Sequence, residues 1–154
     1  MKHHVGWIAV IAVLCVGLAA AKARSRGGGA LVEVFADRMW QDNGIDLGDG
    51  QGVVVTARGA WSHGSETGFE PHYDAGGFQK LDSTAILPRV WVGTLLGRIG
   101  DGPPFPIGRR LGVLALSEGR LRLSMNDVPG QFDNNRGSLR VRIELQTGAR
   151  PRRR

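Results

Sequence analysis

At 154 residues with a formal charge of +6 and one cysteine, the chain is sized for a single domain that no disulfide framework can staple. The position of the charge argues against a nucleic-acid groove. Lys2, Lys22, Arg24 and Arg26 precede the domain and Arg150, Arg152, Arg153 and Arg154 follow it; these eight carry +8, so the chain total of +6 leaves −2 on the residues between.

In chain order, the first segment places Lys2 before an apolar run from Val5 to Ala21 that ends in Ala19-Ala20-Ala21. That is the layout of a helical secretory signal peptide over residues 1–21, cleaved near Ala21 or Ala23, and it predicts an exported, periplasmic or secreted protein. A retained single-span anchor is the competing reading, for which the run is at the short end of the roughly 17–25 residues that a spanning helix needs. Cys15 follows Ala12-Val13-Leu14, a poor match to the small residue expected before a lipidated cysteine. After cleavage the chain has no cysteine, and its ~130 residues must be held by a core or a bound metal. Residues 22–30, with Gly27-Gly28-Gly29, read as a flexible linker and 148–154 as a basic, disordered tail.

Between them, residues 31–147 show short β-branched or alternating runs punctuated by Gly, Pro, Asn and Asp, and no helical period. The pattern predicts strands over Leu31–Ala36, Gly44–Leu47, Gly52–Trp61, Val90–Gly97, Leu111–Leu116, Arg120–Met125 and Ser138–Gln146. In Leu139-Arg140-Val141-Arg142-Ile143-Glu144-Leu145 the apolar side chains fall on one face and the charged ones on the other. Leu121, Leu123 and Met125 alternate with Arg122 and Ser124 in the same way. The expected fold is therefore all-β, an antiparallel sandwich of seven or eight strands whose sheets each keep one wet face. Trp40, Trp61 and Trp91 are expected to pack in the core or at sheet edges.

Two stretches lack a strand pattern, Ser62–Thr84 and Asn126–Gly137, and long loops on a rigid scaffold commonly carry function. The second holds Asp127, Asp133, Asn134 and Asn135 around the turn Pro129-Gly130. Such a set of hard oxygens can wrap a calcium ion. The same residues are also good turn formers, which accounts for them without a metal.

The run NDVPGQFDNNRGS, leaving the strand Leu121–Met125 and entering Ser138–Ile143, resembles the calcium and sugar loop of the PA-IL-like bacterial galactose-specific lectins. GAWSHG from Gly59, PHYDAG from Pro71 and GTLLGRIG from Gly93 follow the same order, so the resemblance spans about Gly44 to Ile143. It implies a jelly-roll, galactose-binding-like sandwich and a calcium-dependent lectin for galactose or a related hexose. The carboxylate of Asp127, the side-chain amides of Asn134 and Asn135, and the backbone carbonyls of Gln131 and His63 would hold Ca2+. Two sugar hydroxyls would complete its shell, and Asp127, Asn134 and the backbone of Val128 would hydrogen-bond the sugar. His72 corresponds to the family's histidine against the exocyclic hydroxyl, and Ala75 stands where the family has an amide. Members of the family can be multimeric, so a homo-oligomer is a further expectation. A cation held by one full carboxylate keeps positive charge for neutral hydroxyl pairs, at an affinity on the order of 10⁻⁴–10⁻³ M or somewhat tighter.

Phe69 and Tyr73 would either stack on a sugar ring or pin the first long loop to the sandwich. An enzyme is not expected. Ser62-His63 and His72-Tyr73-Asp74 lack a nucleophile elbow, and Glu66, Glu70 and Asp74 are only candidate acids on a loop. The alternative is a calcium-stiffened structural or accessory envelope sandwich that binds no sugar.

Overall fold

The computed structural model of the chain describes residues 28–64 and 72–146. The expected signal peptide, residues 22–27 of the linker, the tail, and Glu66, Phe69 and Glu70 lie outside the described residues. Among the described residues there is one 3₁₀ turn and no α-helix, and no helix long and apolar enough to cross a membrane.

Eight strands run β1 (Gly29–Phe35), β2 (Gln41–Leu47), β3 (Gly52–Ser62), β4 (Leu95–Ile99), β5 (Phe105–Pro106), β6 (Arg110–Leu114), β7 (Gly119–Met125) and β8 (Arg136–Gln146). They form two antiparallel four-stranded sheets, ordered β1-β8-β3-β6 and β2-β7-β4-β5. This is the expected all-β sandwich. The alternation read in β8 holds, since Leu139, Val141 and Ile143 are fully buried between the sheets while Arg140, Arg142 and Glu144 are exposed. Val53 and Val55 of β3 and Leu121, Leu123 and Met125 of β7 join them.

Three expectations are corrected. The strand read over Val90–Gly97 begins only at Leu95, because the carbonyls of Val90 and Trp91 accept hydrogen bonds from the Asn126 side chain instead of joining a ladder. Trp91 accordingly lies on a surface loop and is 45% exposed, whereas Trp61 is fully buried and donates Nε1–H to the Gly93 carbonyl at 2.8 Å. Trp40 takes a positive φ of 50° in the β1–β2 turn and packs beneath the Arg98 guanidinium, 4.6 Å from the ring centre. The outer face of β7 is also drier than its alternation implied. Ser124 pairs with Leu96 across β4 on the side away from Leu95 and Met125, and both are fully buried, so other parts of the chain cover that face.

The pair Phe105–Pro106 escaped the pattern because proline cannot donate to a ladder and is confined to an edge, where β5 lies. Trp61→Ala is expected to lower stability by about 3–5 kcal/mol, since it empties the core and strips the Gly93 carbonyl of its partner. Chemical denaturation of the variant against the parent measures this.

Candidate functional site at the β7–β8 loop

The loop is anchored before it turns. Asn126, fully buried at the end of β7, takes the Leu87 N–H on its Oδ1 at 2.9 Å, while its Nδ2 faces the carbonyls of Leu87, Val90 and Trp91 at 2.9–3.2 Å. Its backbone pairs with Gly93 and Thr94. One amide thus ties the loop to the distant segment Leu87–Trp91. The chain then reverses through Val128–Gln131, with Gly130 at φ +88°, and enters a 3₁₀ turn over Phe132–Asn134. Phe132 is buried and roots that turn in the core.

Asp127 is 6% exposed. Its Oδ1 accepts the Val128 N–H at 2.8 Å and its Oδ2 accepts Asn135 Nδ2 at 2.8 Å. Burial outweighs these hydrogen bonds and pushes its pKa above the ordinary carboxylate value. Asn135, 1% exposed, also donates Nδ2–H to the Ala36 carbonyl at 3.1 Å, but its Oδ1 is buried without a hydrogen-bond partner among the described residues. A buried amide oxygen left unmatched beside a buried carboxylate is costly, and a cation or a water reaching both would offset that cost.

The first long loop reaches this place through glycine. A Cβ on Gly64 would lie 2.6 Å from Asn134 Nδ2, at a φ of +87°, so only glycine lets the Asn134 side chain rest on the backbone next to His63. His63, Asp127, Val128, Gln131 and Asn134 consequently line one cleft of about 150 Å³. The opposite wall, which the sequence reading missed, comes from Lys80, Asp82 and Val92. A wider cleft of about 560 Å³ between Gly28–Leu31 and Arg142–Gln146 holds none of the expected site residues.

His72 lies apart from the cleft lining. It is exposed, with its ring edge-on to Tyr73 and Phe78 at 5.4 and 6.3 Å between centroids. Tyr73 bridges Trp61, presses on Gly93 and shares a 2.8 Å hydrogen bond with His63 Nδ1. Burial raises its phenol pKa well above the ordinary value, so it stays neutral. Tyr73 therefore pins the first loop to the sandwich. Ala75 is fully buried in the core. Asp74 accepts the Gly76 N–H and Arg109 Nε–H, the latter at 2.7 Å, and its hydrogen bond from Arg109 lowers its pKa. Asp133 stays exposed on the 3₁₀ turn, and its backbone carbonyl accepts Arg136 Nη1 at 2.9 Å.

The oxygens that the sequence reading assigns to an ion are one carboxylate with amide and backbone groups, the Asp82 carboxyl stands on the facing wall, and among the described residues no three His, Cys, Asp or Glu side chains form a metal-holding group. Hard oxygens of this kind suit a hard cation such as calcium and not a soft transition metal. Gly64→Ala is expected to displace Asn134 and cost about 1 kcal/mol or more in strain, since the new Cβ meets both a disfavoured φ and a side chain. Amide NMR shifts at Asn134 and Asn135, with core resonances unmoved, would register it; unchanged Asn134 shifts would refute it.

The PA-IL-like protein family model matches residues 31–148. Among solved structures, the N-terminal domain of EclA, a PllA-like lectin, is similar with a TM-score of 0.59 at 21% sequence identity, covering 75% of this chain and 98% of that one. At that identity the likeness speaks for the fold. No curated protein matches the chain. With more than half of its length matched by that model, the chain belongs to the PA-IL-like protein family.

Proposed function

We propose that this protein is an exported, non-catalytic lectin that binds galactose or a related hexose through calcium. The observation that carries the reading is the Asp127–Asn135 pair, a buried carboxylate hydrogen-bonded to an amide whose own oxygen is buried and unmatched. The match to the PA-IL-like family supports it, as does the likeness to a domain described as a lectin. The leader at residues 1–21 supports export.

In this reading Asp127, the side-chain oxygens of Asn134 and Asn135, and the backbone carbonyls of His63 and Gln131 hold the ion, which when bound supplies a positive centre for a vicinal pair of sugar hydroxyls. Asp127 and Asn134, already on the cleft wall, orient the same sugar by hydrogen bonds, and Val128 adds its backbone. His72, exposed on the first loop, contacts the ligand's outer hydroxyl and tunes preference.

Binding without turnover is favoured by where the reactive groups lie. Ser62 is fully buried with no partner for Oγ among the described residues, the His63 ring engages Tyr73, and Asp74 is paired with Arg109. None forms a nucleophile and base in mutual reach.

Asp127→Asn is expected to abolish calcium-dependent retention on immobilised galactose and the calcium-induced rise in melting temperature together. Ion at a hundred times its dissociation constant contributes about 2.7 kcal/mol to the parent and nothing to the variant. In chelator the two should melt within about 1 kcal/mol of each other, because the substitution also removes a charge that burial disfavours. Sugar binding by the variant would sink the proposal, and a calcium-raised melting temperature in a parent that binds no glycan would leave the purely structural sandwich.

His72→Ala should change the ranking of hexoses on a glycan array while the calcium-induced melting shift stays at the parent value. Loss of that shift would mean that the first loop is misassigned.

A further inference from the structure

The wall of the cleft that faces Asp127 belongs to the segment Phe78–Val92, and the fold holds it firmly. Phe78 N–H donates to the Val92 carbonyl at 2.8 Å and Val92 N–H returns to the Lys80 carbonyl at 2.9 Å, so the two ends of the segment are paired. Ile86 N–H donates to the Asp127 carbonyl at 3.1 Å, and the Asn126 side chain secures Leu87, Val90 and Trp91. Asp82 is fixed in turn, its Oδ1 accepting the Thr84 N–H at 2.8 Å and the Thr84 hydroxyl at 2.6 Å. A loop tied down at this many points presents Lys80 and Asp82 to the cleft in a prepared arrangement, so little ordering remains for a ligand to induce.

We propose that Lys80 and Asp82 form a second hydroxyl-binding pair, across the cleft from Asp127, that selects neutral sugars over acidic and amino sugars. A sugar hydroxyl both donates and accepts. The Lys80 ammonium, whose charge acts on the Asp82 carboxyl, and that carboxyl line the same wall and offer one partner of each kind, with Asp82 Oδ2 as the acceptor while Oδ1 stays with Thr84. Because the two charges are opposite and two residues apart, neither a uronate nor an ammonium on the ligand meets an uncompensated attraction, and each would be desolvated against a like charge. Hydrogen bonds from Thr84 hold the Asp82 carboxyl below its ordinary pKa, so it is anionic at neutral pH, and its charge is felt at Asp127, where it reinforces the effect of burial. At about 150 Å³ the cleft is smaller than the roughly 300–1,000 Å³ of pockets for drug-sized ligands, so it takes the edge of one ring gripped from both walls.

The inference rests on the lectin reading, and one titration series separates the two. The full chain is titrated in calcium with galactose, each monodeoxy galactose, galacturonate and galactosamine, for the parent, Asp82→Asn and Lys80→Met. Asp82→Asn keeps the oxygen that Thr84 needs and replaces the ligand-facing acceptor with a donor, so the loop survives. Galactose should weaken about tenfold or more in each variant, as loss of a charged hydrogen bond predicts, with the calcium-induced melting shift unchanged. One monodeoxy galactose that is weak for the parent should lose nothing further in Asp82→Asn, the sign of a direct pairing between that hydroxyl and Asp82. Galacturonate and galactosamine should bind the parent more weakly than galactose.

Parent-like galactose affinity in both variants overturns the pair alone. Loss of the calcium shift in Asp82→Asn overturns it differently, by making Asp82 an ion ligand. A parent that binds none of these sugars overturns the lectin reading and this inference with it.

Discussion

Asp127 is a carboxylate taken out of water and given one backbone N–H and one side-chain amide, and the amide that serves it leaves its own oxygen dry. Neither group would be stable there as an isolated feature, since burial raises the pKa of the one and an unmatched oxygen penalises the other. Both follow from a loop that buries polar side chains beside one another and relies on the sandwich to keep them there. The β7–β8 connection can hold this strain because its two ends enter strands whose inward residues, Leu121, Leu123 and Met125 on one side and Leu139, Val141 and Ile143 on the other, are fully buried.

The remaining architecture positions the neighbours of that loop. Gly64 permits the first long loop to touch Asn134, Tyr73 nails that loop against Gly93, and Asn126 draws in a segment some 35–39 positions away in the chain. These are short, specific contacts between groups that carry no charge. They contrast with the surface ion pairs, such as Arg120 with Asp42 and Asp46 or Arg109 with Asp74, whose partly exposed partners contribute little each. A cysteine-free domain depends on such contacts together with its core.

How much was legible differs by residue. The period of two in Leu139–Leu145 could be read directly, because each side chain's face in a strand is set by its neighbours in the chain. The Asp127-Val128-Pro129-Gly130 turn and the paired asparagines Asn134 and Asn135 could also be singled out, because hard oxygen ligands and turn residues are local properties. Trp91 and the start of β4 were misjudged because a single side chain, Asn126, captures carbonyls that local propensity would have assigned to a ladder. Burial of Ser124 likewise depends on what covers the sheet, which no alternation pattern encodes.

The amino-acid order by itself therefore determined the class of fold, the faces of its strands and the chemical character of the β7–β8 loop, since all of these depend on spacing of a few residues along the chain. The tertiary structure alone decided that His63 and Gly64 meet Asn134, that His72 stands outside the cleft lining, and that Lys80 and Asp82 form its far wall. Those relations join residues separated by tens of positions through hydrogen bonds and packing, and the distance between such residues is a property of the folded chain and not of its order.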